Sequence, residues 1–185
     1  EFYIIIHSLA STINQSNPID KELIKISDLA SDVLDNNSYS FKMYDYVKKK
    51  FESGIKWEQT RDSIYNRYQV NQMDGYDITS RELYCNGCFA SGINFASSLV
   101  SYFYGKGDFK ETIKIASLSG WDSDNPASTW GGLLGFIHGK TKIENIFNEP
   151  LSNKYNIHRT RQNFENNGLD NFKNMSKKGL SIIDN

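Results

Sequence analysis

Apolar residues recur at spacings of three and four along most of this chain, the mark of helices with one buried face. Phe2, Ile5, Ile6, Leu9 and Ile13 form the first stripe, and the Ile4–Ile6 run lies inside that helical period rather than marking a strand. After Pro18, the residues Leu23, Ile26, Leu29, Ala30 and Val33 predict a second helix, with Asp20 as its N-cap and Asn36-Asn37 at its end. A third is expected from Ser40, burying Met43, Tyr44, Val47 and Phe51 and closing at Gly54. A fourth runs from Trp57 to Tyr68, with Arg61 on a different face from Trp57, Ile64 and Tyr68.

The segment from Gln69 to Tyr84 is polar and irregular, with a turn signal at Gly75. Long connections of this kind are disproportionately functional loops. Beyond it the chain becomes small and apolar. Ala90, Ile93, Ala96, Leu99, Val100 and Phe103 predict a core helix from about Asn86 to Tyr104, ended by Gly105. Asp108 and Glu111 have the spacing of a capping box, opening a helix that carries Ile113, Ala116 and Leu118 up to Gly120. A last short helix is expected around Leu180, Ile182 and Ile183. No alternating strand pattern of useful length and no internal repeat is visible, so the expected fold class is all-α, in a single domain over residues 1–185.

Between two of these helices lies Gly120-Trp121-Asp122-Ser123-Asp124-Asn125-Pro126. Asn125 reads as an N-cap, and Pro126 as the first helical residue, where its missing N–H costs nothing. Gly131, Gly135 and Gly139 recur every four residues, predicting a helix face that lets another backbone come close, with Gly139 ending the helix. Asp122 and Asp124 stand at i and i+2. Carboxylates there converge on a hard divalent cation, on donors or on water, or they simply cap the helix. Spacing alone leaves these readings open.

Charge narrows the partners. Lys and Arg number 21 against 22 Asp and Glu, for a net charge of -1, so no basic excess points to nucleic acid or to an anionic membrane. No apolar run is long enough to cross a bilayer. The opening Glu1–His7 lacks a start methionine and a basic n-region, and is expected to be the middle of a helix in a longer protein. Cys85-Asn86-Gly87-Cys88 has the form of half a zinc site or a redox dithiol. His7, His138 and His158 lack paired spacing, so the cysteines read as ordinary thiols of a reducing, cytoplasmic compartment.

Taken in order, these features resemble the C-terminal half of an ADP-ribosylglycohydrolase-type protein. The run Gly120-Trp121-Asp122-Ser123-Asp124 before a glycine-rich helix is similar to that family's late G-[GW]-D-[ST]-D motif. Collinear segments agree: Lys56-Trp57-Glu58 to Tyr68, Asn94 ahead of Tyr104-Gly105-Lys106-Gly107-Asp108-Phe109, and Phe147-Asn148-Glu149-Pro150-Leu151. The resemblance implies a compact orthogonal helical domain, here its C-terminal portion, and a hydrolase that removes ADP-ribose from modified proteins or related conjugates. It implies two Mg²⁺ ions, with Asp122, Asp124 and Asn125 as metal ligands and Asn94, Gly120 and Ser123 beside the substrate. Asn125 stands where much of the family has Ser or Thr. Its side-chain oxygen is a candidate ligand, and equally a candidate helix cap; a buried Asn94 bonded to backbone groups is the alternative to a substrate contact.

The family's early T-D-D-T-like motif has no counterpart in these residues; Asp20, Asp28 and Asp77 lack its context. A separate N-terminal half or a larger assembly is therefore an expected partner, alongside an ADP-ribosylated protein or ADP-ribose-like ligand. No general acid or base is identified. The alternative reading is a catalytically inactive family member acting as a structural or binding subunit.

Overall fold

The computed structural model describes residues 1–77, 90–157 and 162–184. Cys85, Cys88 and His158, and the first residues of the expected core helix, lie outside them. The chain forms two compact units, residues 1–143 and 144–185.

The first unit is helical. In α1 (Phe2–Leu9), Phe2 and Ile6 are buried, and a 3₁₀ turn follows at Ala10–Thr12. Helix α2 (Ile19–Ser31) starts after Pro18. Asp20 is not its cap but sits in the first turn, where its charge favours the helix dipole. The preceding turn is closed by Glu22 instead, whose carboxylate accepts the Asn17 side-chain amide and the Asn14 backbone N–H. Those two bonds hold the Glu22 carboxyl below its usual range. α2 ends at Ser31, ahead of Asn36-Asn37, which leaves Val33 outside the helix; Val33 and Leu29 are both exposed.

Helix α3 (Tyr39–Glu52) is capped by Ser38 rather than opened by Ser40, because the Ser38 hydroxyl oxygen accepts the Phe41 N–H at 3.1 Å. It buries Met43, Tyr44 and Val47. Helix α4 (Trp57–Ile64) does not run unchanged to Tyr68: Tyr65–Val70 is a π-helix, a form often found at functional sites. Helix α5 (Ser91–Gly105) is the centre of the unit, buried along most of its length. α3, α4, α6 and α7 all pack on it. The expected capping bond opens α6 (Phe109–Ser119), with the Asp108 carboxylate accepting the Glu111 N–H at 2.7 Å. Helix α7 (Asp124–His138) ends at Gly139, which has a φ of +76° and donates its N–H to Gly135.

The close approach expected along Gly131, Gly135 and Gly139 is largely absent. A Cβ at Gly131 would meet Ile113 at 3.3 Å, while at Gly135 and Gly139 it would meet nothing within 4 Å. Tight crossings occur on α5 instead: a Cβ at Gly105 would fall 2.7 Å from the Thr112 Cα of α6. Packing of α6 on α5 therefore depends on that one missing side chain.

Helix α8 (Lys140–Phe147) leads out of the first unit. In the second unit, β1 (Lys154–Asn156) pairs antiparallel with β2 (Leu169–Asn171), Tyr155 opposite Asp170. These strands were not expected; at three residues each they are too short for alternation to show. Helix α9 (Phe172–Ile183) is longer than the sequence suggested, and Asn171 caps it by accepting the Asn174 N–H.

Candidate functional site

The Asp122 motif forms the turn from α6 into α7. Gly120, Trp121 and Asp122 have φ values of +84°, +50° and +60°, three left-handed residues in succession. Gly120 takes that conformation freely. For Trp121 and Asp122 it costs about 1–3 kcal/mol each, so the turn needs outside support.

Asn94 supplies it from α5. Its side-chain amide donates to the Trp121 carbonyl at 2.5 Å and to the Asp122 carbonyl at 3.2 Å. Both neighbours are acceptors, so only the NH₂ end of the amide can face them. Each such bond is worth about 0.5–1.5 kcal/mol net. The Asp122 carbonyl also accepts the Asn125 N–H at 3.0 Å. On the other side of the loop, the Trp121 ring stacks on Tyr65 of the π-helix, with centroids 6.3 Å apart and planes at 29°. The loop backbone is thus tied to the core, while Asp122, Asp124 and Asn125 are exposed.

The helix starts two residues earlier than Asn125 would have set it. Ser123 is the N-cap residue and already has right-handed helical angles, so Asp124 is the first residue of α7; Ser123 makes no side-chain capping bond. Asn125 lies inside the first turn; its backbone N–H donates to the Asp122 carbonyl and its carbonyl accepts the Ser128 hydroxyl, and among the described residues its side chain makes no capping bond. Its side-chain oxygen is therefore not spent on a cap. Pro126 is the third helical residue and is buried.

Asn125 also borders an open groove of about 610 Å³ between α1 and α7, with Ser128, Thr129 and Gly132 on its own side. Tyr3, Ile4, His7 and Ser8 line the other side. The His7 ring lies parallel to Trp130, at 12° with centroids 6.4 Å apart, and its Nδ1 bonds to the Tyr3 carbonyl. The Tyr3 hydroxyl shares a 2.7 Å bond with Ser98. Burial pushes that phenol up to about 12, against the lowering effect of the Ser98 bond, so the wall is uncharged there near neutral pH. His138 bonds through Nε2 to the Gly107 carbonyl.

The donor set of Asp122, Asp124 and Asn125 is all oxygen, as Mg²⁺ or Ca²⁺ requires. Among the described residues, no group of three or more His, Cys, Asp or Glu gathers into a metal cage. Two exposed carboxylates still fit Mg²⁺, which keeps several waters and is commonly held by one or two carboxylates plus substrate phosphates. Of the residues singled out from the sequence, Gly120, Asp122, Ser123, Asp124 and Asn125 lie at this one turn, and Asn94 of α5 bonds to it. Tyr65 had no signal in the sequence, because its contact with Trp121 depends on how the π-helix and the loop meet in space.

Among the described residues, no helix is long and apolar enough to cross a membrane. A search of curated proteins and a search of solved structures each returned no match. The ADP-ribosylglycohydrolase family model matches residues 4–172, a span that takes in the whole of the turn and the helices of the first unit from Ile4 onward. The chain belongs to the ADP-ribosylglycohydrolase family, hydrolases that act on ADP-ribose conjugates and are generally metal-dependent.

Proposed function

We propose that this chain takes part in hydrolysing ADP-ribosyl linkages, with Mg²⁺ held by Asp122 and Asp124 and with Asn125 adding a neutral oxygen. The observation that carries this reading is the strained turn, whose backbone is bonded inward while both carboxylates face solvent. A pair of aspartates serving only as helix caps would have no need of two left-handed residues ahead of the helix. When bound, Mg²⁺ would polarise ligand oxygens and lower the pKa of a coordinated water.

The chain's own residues bind and orient. Asp122 and Asp124 supply the charge, and the partial positive charge at the start of α7 is favourable to a diphosphate lying close by. The groove bordered by Asn125 has the volume of a small-molecule site, enough for part of a nucleotide-sized ligand. Two carboxylates leave a pair of ions under-ligated. The remaining oxygens would come from water, from the ligand and from further protein groups, for which a separate half or a larger assembly is the proposed source.

A second reading, a non-catalytic family member serving as a binding subunit, draws on the lack of a cluster of three or more His, Cys, Asp or Glu among the described residues. Calorimetry with Mg²⁺ on the wild type and on Asp122→Ala tests the metal site. A binding heat that the substitution abolishes is expected; no heat, or the same heat in both, ends that reading. Release of ADP-ribose from a modified peptide then separates the enzyme from the binder.

A further inference from the structure

We propose that Asn94 is a positioning residue that sets the direction of Asp122 relative to Asp124, and that it makes no contact with the ligand itself. This rests on the reading of the aspartates as a cation site. Asp124 is carried by α7, so its place follows from the helix. Asp122 stands in the left-handed turn, and its direction depends on the two peptide groups whose carbonyls are Trp121 and Asp122. Those are the two carbonyls that the Asn94 amide binds. Turning over the peptide that carries the Trp121 carbonyl would change φ of Asp122 and let it leave the left-handed region, turning over the next would change ψ of Asp122, and either would redirect the Asp122 side chain. The amide opposes both rotations at once.

Asn94 is well placed for this because its own position is rigid. It is 7% exposed, and its backbone N–H donates to the Ala90 carbonyl within the first turn of α5. The preceding residues are anchored too: the Ile93 N–H donates to the Tyr76 hydroxyl, and Gly92 lies against the Tyr76 ring. With both amide hydrogens of Asn94 directed at the loop, its NH₂ group has no donor left for a ligand. The Tyr65–Trp121 stack is a weaker restraint, since Tyr65 is 46% exposed.

The test uses the full chain with Asn94→Leu, which keeps the bulk and removes the donor, and Asn94→Ser, which intrudes less on the packing and is too short to reach both carbonyls. Two quantities are read: Mg²⁺ affinity by calorimetry, and hydrogen exchange of the Asn125 amide in metal-free protein, since that amide bonds to the Asp122 carbonyl. Loss of a group that orients a metal ligand commonly costs 10- to 100-fold in affinity, so a fall of about tenfold or more is expected, with faster Asn125 exchange. Tyr102→Phe, which loosens the same helix by removing the bond to the Leu23 carbonyl, is expected to leave both readings unchanged. Folded Asn94 variants with wild-type affinity and wild-type Asn125 exchange would overturn the proposal, as would an equal effect from Tyr102→Phe. If the wild type binds no Mg²⁺, the cation reading fails, while the Asn125 exchange still shows whether Asn94 holds the turn.

Discussion

The ring of Tyr76 occupies the space where a side chain at Gly92 would be: a Cβ built there falls 2.1 Å from Cε2 of the ring. The contact packs Tyr76 against the first turn of α5. Tyr76 also packs edge-on to Tyr68, with centroids 6.1 Å apart, and its hydroxyl, raised by burial, accepts the Ile93 N–H. Gly92→Ala is therefore expected to destabilise the fold by about 1–3 kcal/mol, as overpacking a close-packed interior does. Thermal denaturation measures this, and in a Tyr76→Ala background the same substitution is expected to cost much less, because the two sites share one contact.

The Arg67–Asp74 pair predicts a pH dependence. Arg67 grips Asp74 through Nε and Nη2 at 2.8 and 2.9 Å, and the Tyr68 hydroxyl donates to the same carboxylate at 3.0 Å. Burial alone would raise the Asp74 carboxyl, but the bonds from Arg67 and Tyr68 outweigh it and hold it below its usual range. A depressed carboxyl stabilises the fold fully above its unfolded value, about 3.9 for Asp, and loses that contribution as pH falls through the folded value. The melting temperature of the wild type, measured relative to Asp74→Asn, is expected to be flat above about pH 5 and to drop below about pH 4. A difference that stays constant down to acid unfolding would remove the pair from the stability of this segment.

Asn125 and Asp108 offer a contrast between a proposed ligand and a cap. Asp108 accepts the Glu111 N–H, so Asp108→Ala is expected to cost about 0.5–2 kcal/mol. Asn125→Ala removes no capping bond and should change thermal stability by less than about 0.5 kcal/mol. It should still weaken Mg²⁺ binding, read by calorimetry. A large loss of stability in Asn125→Ala with unchanged Mg²⁺ affinity would return Asn125 to the role of a cap.

Much of the helical order was legible because helix signals are local. Stripes at spacings of three and four located α1, α2, α3 and α5, and Asp108 and Gly139 marked their helix ends through bonds to residues within one turn. Signals of the same local kind misled where two residues competed for one task. Asn125 and Pro126 read as cap and first residue, yet Ser123 adopts helical angles and starts α7 two residues sooner. The glycine period suggested close packing along α7, whereas a Cβ added at Gly135 or Gly139 would meet nothing within 4 Å. The π-helix and the three-residue strands left no periodic trace at all.

The helical class of the chain and the placing of Asp122 and Asp124 at the start of a helix could be read from residue types within a few positions of each other. How those aspartates are held depends on the packing of separate helices. The turn that carries Asp122 is left-handed at two non-glycine residues, and it is held by Asn94 from α5 and by Tyr65 from the π-helix. Those partners come from separate helices and meet only because α6 and α7 fold back against the buried centre of the unit. A pattern of neighbouring residues carries no record of that meeting, because the contacts depend on where whole helices come to rest.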